Sequence, residues 1–167
     1  MSPEKINGKI ADGEIVCGID PGYARLGYSF IKHGKTQEVL EASCIETSPG
    51  PKHAERLEEI MRKLSGRIEF HKPKYIAIER VFFAKNQKTA MQVAEIRGAV
   101  LFLASSLRIT IKEFAPSEIK LAVTGSGAAD KKAVKKMVEL VLKLKETPKL
   151  DDITDALAIA LCAIYSS

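Results

Sequence analysis

The sequence predicts an α/β fold built on a mixed β-sheet. Two observations carry that reading. Three strand-like segments crowd the first third of the chain, and helical segments then alternate with two further short strands. With 167 residues, one compact domain is the default. The hydrophobic fraction of 46% suffices for a core, but only 6% of residues are aromatic and none is Trp, so aliphatic side chains must build it.

Residues 14–19 form a continuous apolar run and read as the first strand. Residues 27–32 and 37–46 are strand-like and are separated by His33-Gly34-Lys35-Thr36, a hairpin turn. Ser48-Pro49-Gly50-Pro51 breaks the chain, and Leu57, Ile60, Met61, Leu64 and Ile68 follow at helical spacing. His71-Lys72-Pro73 ends that helix, and 75–79 is a short buried strand. A long helix runs from about 86 to 106 with Met91, Ala94, Leu101 and Phe102 on it; the β-branched run in 109–114 is a strand. Pro116 and Ser117 open a short helix that ends at Thr124-Gly125. Asp130 caps a helix with Val134, Met137, Val138 and Val141 on one face. Pro148 precedes the last helix.

Lys plus Arg total 26 against 21 acids, a net charge of +5 that fits a polyanionic partner and equally a basic protein without one. Cys17, Cys44 and Cys162 are far apart, lie in apolar segments and show no metal-ligand spacing, so they read as buried thiols of a reducing, cytoplasmic compartment. No apolar run reaches the roughly 18 residues of a membrane span. Residues 1–13 lack the apolar core of a signal peptide and read as a loose arm ahead of a single domain over 14–167.

Carboxylates stand at the ends of apolar elements in three separate parts of the chain. Asp20 follows the first strand, Glu79 closes the fourth, and Asp152 and Asp155 open the last helix three residues apart, on one face. Each has a plainer reading. Asp20-Pro21-Gly22 is a good turn, Glu79 could pair with Arg80, and acids in a first helical turn suit the helix dipole. Together they could converge at one sheet edge. Four hard oxygen donors suit Mg²⁺ or Mn²⁺, and two such ions could activate water and stabilise a leaving 3′ oxygen in phosphodiester hydrolysis.

Three segments resemble one family. Gly18-Ile19-Asp20-Pro21-Gly22 with Gly27-Tyr28, the run Ala77-Ile78-Glu79-Arg80-Val81-Phe82-Phe83-Ala84-Lys85-Asn86, and the run from Asp152 to Ala160 are similar to the RuvC family of Holliday-junction resolvases. The similarity extends to Arg97-Gly98 and to the stretch from Thr124 to Lys131, and it covers nearly the whole chain after about residue 15. The first motif recurs across RNase H-like folds, whereas the segment around Phe82 is more specific. The resemblance implies an RNase H-like mixed sheet flanked by helices and a homodimer. It also implies Mg²⁺-dependent symmetric nicking of four-way DNA junctions, in company with a branch-migration complex of a junction-binding protein and its motor ATPase. By the same resemblance the catalytic and metal-binding acids are Asp20, Glu79, Asp152 and Asp155, with Asp151 an adjacent extra acid. DNA-binding positions fall on Phe82, Lys120 and Lys131.

Read from the residues alone, Phe82 is either a core aromatic or an exposed one able to stack on an unpaired base. Lys131, Lys132, Lys135 and Lys136 are a solvated helix face, with Lys131 placed at a helix start where phosphate contact is plausible. An RNase H acting on RNA–DNA hybrids would share the acids but gives no reason for the Phe82 segment. A DNA-binding module with idle acids is the non-enzymatic alternative. Two symmetric cuts from one set of acids per chain require two subunits, and the helix over 86–106 is the candidate interface.

Overall fold

The computed structural model describes residues 9–47, 50, 52–80 and 87–166, with the side chains of 87–89 left aside. Ten elements follow in the expected order: β1 (Ile15–Asp20), β2 (Arg25–Lys32), β3 (Glu38–Glu46), α1 (His53–His71), β4 (Tyr75–Glu79), α2 (Gln87–Ser106), β5 (Thr110–Phe114), α3 (Pro116–Thr124), α4 (Lys131–Leu142) and α5 (Asp151–Tyr165). The sheet runs β3-β2-β1-β4-β5. The first three strands form an antiparallel meander, and β4 and β5 add parallel to β1. This is the mixed sheet that the strand pattern predicts.

Local chemistry sets the helix ends. The Asp130 side chain accepts a hydrogen bond from the Ala133 N–H at 2.8 Å and caps α4, as expected from its position. Pro116 supplies the first turn of α3, and Gly125 closes it with φ of 78°. At α1, Glu55 accepts from the Lys52 N–H, and Lys72 ends the helix in the left-handed region just before Pro73.

Two cores lie on the two faces of the sheet. On one, α1 and α2 bury Ile60, Leu64, Ile68, Ile96, Val100 and Ala104 against Cys17, Ile19, Ile76 and Ile78. On the other, α5 lies over Val16 and Ala77, with Ile119 and Val123 of α3 and Val134 and Val138 of α4 packed around it. Alternation along β1 and β4 therefore assigns Tyr75, Val16 and Ala77 to the α5 side. The parity carries Asp20 and Glu79 to that same side.

The expected arm divides. Residues 1–8 lie outside the described residues, but 9–13 fold onto the domain. Ile10 is 2% exposed in the α5-side core, and the Gly13 N–H donates to the His33 carbonyl at 2.8 Å. Polar composition concealed one core residue there. The three thiols are free, and burial pushes each of them up from its ordinary pKa. Among the described residues no helix is long and apolar enough to cross a membrane.

The backbone of α5 approaches the meander closely. A Cβ on Gly18 would stand 2.1 Å from the Ala156 carbonyl oxygen, and one on Gly27 would stand 2.1 Å from that of Asp152. The buried Ser29 hydroxyl donates to the Ala156 oxygen at 2.9 Å. The helix backbone thus rests directly on the sheet at two glycines. Gly18→Ala or Gly27→Ala must lift α5, and each should cost about 1–3 kcal/mol of stability or more, as overpacking does. Urea unfolding measures this, and an unchanged midpoint would show that α5 is not seated there.

Candidate active site

The register places Ile19 opposite Ile78 in the parallel β1–β4 pair, so the next step sets Asp20 beside Glu79 at the C-terminal edge of the sheet. The seat of α5 on Gly18 and Gly27 brings its first turn, with Asp152 and Asp155, to the same edge. The electrostatics register the convergence. Burial, and then the charges of Asp155, Glu79 and Asp152, raise the Asp20 carboxyl to about 7. Burial and the Asp155 charge raise Glu79. Asp155 is also raised, by burial first and by Asp151 and Asp152 against the opposing pull of Lys131. Three part-buried acids whose pKa values are raised by desolvation first and by neighbouring carboxylates second are the mark of a shared site.

The plainer readings of these acids are met only in part: Asp151 and Asp152 do stand in the first turn of α5, where the helix dipole favours acids. The Arg80 guanidinium donates to the Glu113 carbonyl oxygen at 3.1 Å, not to Glu79. At the start of α5 the cap residue is Leu150, which makes no side-chain cap, and Asp152 instead pairs with Arg25, Oδ2 to Nε at 3.3 Å.

Cations stand among the acids. Lys131 Nζ lies 3.2 Å from Asp155 Oδ2 and 3.7 Å from Asp151 Oδ2, and Lys135 Nζ lies 3.8 Å from Asp151 Oδ1. Burial pulls Lys131 down, but Asp155, Asp151 and Asp20 outweigh it and raise its pKa. Two clefts flank this group. One of about 190 Å³ has Glu79, Asp155, Lys120 and Lys131 on its lip and Ile119, Val134 and Ile159 in its wall. The other, about 200 Å³, is lined by Lys131, Lys132, Lys135, Asp151, Thr154 and Asp155. The buried Thr154 hydroxyl has no hydrogen-bond partner among the described residues.

Asp20, Glu79, Asp152, Asp155, Lys120 and Lys131 therefore share one neighbourhood, whereas Phe82 lies outside the described residues. Sequence reasoning missed Arg25 and left Asp151 without a role. No pattern in the sequence marks Arg25, because its carboxylate partner is far along the chain.

The donor set fits a hard divalent cation. Four carboxylates on three elements repel one another, and Lys131 and Arg25 only partly offset them. Among the described residues, no three His, Cys, Asp or Glu side chains already stand in a metal-holding group. The acids would therefore close by exchanging their lysine and arginine contacts.

A carboxylate cleft at the C-terminal edge of a five-stranded mixed sheet flanked by helices defines a nuclease of the RNase H-like class. Residues 16–163 match the family model of "Crossover junction endodeoxyribonuclease RuvC". The chain belongs to the RuvC family. The RuvC of Caldicellulosiruptor saccharolyticus is 42% identical over 154 residues, which cover 91% of this chain and 93% of the relative. That of Pseudothermotoga lettingae is 44% identical over 149 residues, covering 89% and 92%. The solved structure of Thermus thermophilus RuvC in complex with Holliday junction substrate superposes with a TM-score of 0.84 at 33% identity, covering 89% of this chain and 92% of that one. Nucleases of this family are metal-dependent.

The raised carboxyls carry a pH signature. A carboxyl whose native pKa exceeds its unfolded value binds its proton more tightly in the fold. Stability is then greatest below the unfolded value and is lost as pH rises through the native one. Each factor of ten in proton affinity is about 1.4 kcal/mol, so ionising Asp20 opposes the metal-free fold by on the order of 4 kcal/mol. Without metal, Tm should fall between pH 5 and 8. Asp20→Asn should flatten that slope, and Mg²⁺ at pH 8 should raise Tm by linkage. Calorimetry across this range checks it; a Tm that rises with pH would contradict the coupled cluster.

Proposed function

We propose that this chain is a structure-selective DNA endonuclease that resolves four-way (Holliday) junctions by paired, symmetric nicking during recombination and repair in the cytoplasm. The observation that carries the reading is the gathering of Asp20, Glu79, Asp152 and Asp155 at one sheet edge of a RuvC-family fold, where burial and neighbouring acids raise the Asp20, Glu79 and Asp155 carboxyls. The nuclease unit is the single domain from residue 9 or 14 onward.

Asp20, Glu79, Asp152 and Asp155 would hold Mg²⁺, with Mn²⁺ able to substitute, as two ions per subunit. When bound, the ions supply activation of the attacking water and stabilisation of the leaving 3′ oxygen. The protein's own contribution is positional. Burial of Asp20 and Glu79 keeps the carboxylates at fixed places on the rigid sheet edge. In the metal-free chain Lys131 and Arg25 offset part of their charge. Once released from Asp155, the Lys131 ammonium is free to meet a phosphate, and Lys120 stands across the same cleft. We assign Phe82 to stacking on a base at the junction.

The homodimer finds support in α2. Leu101 packs partly into the core, but Met91, Ala94 and Phe102 are exposed, Phe102 at 75%. Gly98 completes an outward stripe at 91, 94, 98 and 102, and nothing among the described residues packs within 4 Å of where its Cβ would be. A small residue amid large apolar ones lets a second helix approach closely. Two copies related by a twofold axis would present two sets of acids for two strands. The junction-binding protein and its motor ATPase are proposed as further partners.

Incubation with a labelled synthetic four-way junction, with and without Mg²⁺, tests the activity; the absence of metal-dependent nicking would overturn it. Asp152→Asn should abolish cleavage, by about a hundredfold or more, while junction binding holds. Near-normal nicking by that variant would move the third acid to Asp151. Phe102→Glu should shift the sedimentation of the chain from dimer towards monomer at micromolar concentration. A wild-type monomer that still makes both cuts in one binding event would overturn the dimer.

A further inference from the structure

Strand β3 ends the sheet, so one row of its backbone groups meets no strand among the described residues. Natural sheets guard such edges with charges and bulges. Here the guards stand at the ends: Glu38 and Glu46 close the strand, and a bulge sits at Leu40, opposite the Phe30–Ile31 step. Between them Ala42-Ser43-Cys44-Ile45 carries no charge. Against this run, on the α1 side of the sheet, lies a groove of about 600 Å³ lined by Ser43, Cys44 and Ile45 of β3, by Tyr28 of β2, and by α1.

The α1 wall presents Arg62, Lys63, Gly66, Arg67 and Phe70, and no carboxylate lines the groove. The nearest acids already pair with these cations along the helix and from β3: Glu58 with Arg62, Glu59 with Lys63 and Glu41 with Arg67. Glu41 is held by the Tyr28 hydroxyl at 2.6 Å and by His71 Nε2 at 2.8 Å, with Arg67 Nε at 3.4 Å. Such exposed pairs are worth about 0–1 kcal/mol, so their cations can be recruited by another acid.

Gly66 is the second observation. It lies mid-helix, where glycine costs roughly 1 kcal/mol relative to alanine. Its φ is ordinary, and nothing among the described residues packs within 4 Å of its missing Cβ. No contact among the described residues requires it. Phe70, 76% exposed, projects at the end of the same groove.

We propose that the β3–α1 groove binds an extended, acidic segment of a partner protein. The segment adds to the β3 edge through main-chain hydrogen bonds, the recognition mode of strand addition. The gap at Gly66 admits its backbone or a side chain, Phe70 covers an apolar side chain, and Arg62, Lys63 and Arg67 meet its carboxylates. A nucleic-acid occupant would use the cations and the aromatic but would have no use for the uncharged sheet edge. The groove also opens on the α1 side of the sheet, whereas the catalytic acids face the α5 side.

The test uses a fluorescein-labelled peptide of alternating glutamate with valine and threonine, and its lysine-for-glutamate counterpart, titrated by anisotropy against the full chain. The acidic peptide should bind. Gly66→Leu and, separately, Arg67→Glu should each weaken it by about tenfold, and the lysine peptide should not bind. Gly66→Leu has free space to occupy and a better helix former in it, so its Tm should equal or exceed the parent's and its junction nicking should match it. Failure of the acidic peptide to bind, equal binding of the lysine peptide, or indifference to Gly66→Leu would each overturn the proposal. So would a Gly66→Leu chain that loses junction binding instead, which would give the groove to DNA.

Discussion

The seat of α5 on the meander is the contact on which the site depends. Two glycines leave room for the helix backbone to lie on the sheet itself, and the Ser29 hydroxyl ties the Ala156 carbonyl to β2. That contact sets the height of the first helical turn, and with it Asp152 and Asp155. It also sets the lysines at one remove. Ile119 and Val123 of α3 and Val134 and Val138 of α4 pack in the α5-side core, and these two helices carry Lys120 and Lys131. Three carboxylate-bearing elements and two lysine-bearing ones are thus referred to one backbone contact. A close-packed interior transmits a displacement there to all of them.

The cluster assembled in this way opposes the stability of the fold that holds it. Desolvation and mutual repulsion both disfavour the charged form, and Asp20, the most perturbed, is held near neutrality. The fold tolerates this because each acid sits at the end of a well-buried element, with Ile19, Ile78, Ala156 and Leu157 all at 1% exposure or less. Lys131 and Arg25 are the local compensation. Both are side chains that can swing away, so the charge they cancel becomes available to a ligand without movement of the backbone. Strain concentrated at a functional edge and supported by a rigid core is a common division of labour.

Much of this was readable in the sequence, because its determinants are local. Apolar and β-branched runs mark the strands, helical spacing of Leu57, Ile60, Leu64 and Ile68 marks α1, and Asp130 and Gly125 mark helix ends. Even the convergence of Asp20 and Glu79 follows from parity once β1 and β4 are paired in parallel. What could not be read depends on contacts between distant segments. Arg25 pairs with an acid 127 residues later, and Ile10 is buried by a fold its own neighbours do not predict. Leu101 and Phe102 are adjacent on α2, yet one turns inward and the other outward. An apolar stripe on a helix cannot say which part its own sheet will cover.

The glycines separate the two kinds of constraint most clearly. At Gly18 and Gly27 a side chain would strike the chain's own backbone, so folding alone requires them. At Gly66 and Gly98 a side chain would meet nothing among the described residues, and each weakens its helix by roughly 1 kcal/mol without a described contact to explain it. Both lie on helices that cover the same face of the sheet, and each is accompanied by a large exposed apolar group, Phe70 on α1 and Met91 and Phe102 on α2. The sheet therefore divides the molecule. Its α5 side gathers the carboxylates and lysines of the candidate site, and the outer surfaces of its α1–α2 side carry gaps that no described residue of this chain fills. Changes on that outer surface therefore need not disturb the contact that positions the carboxylates.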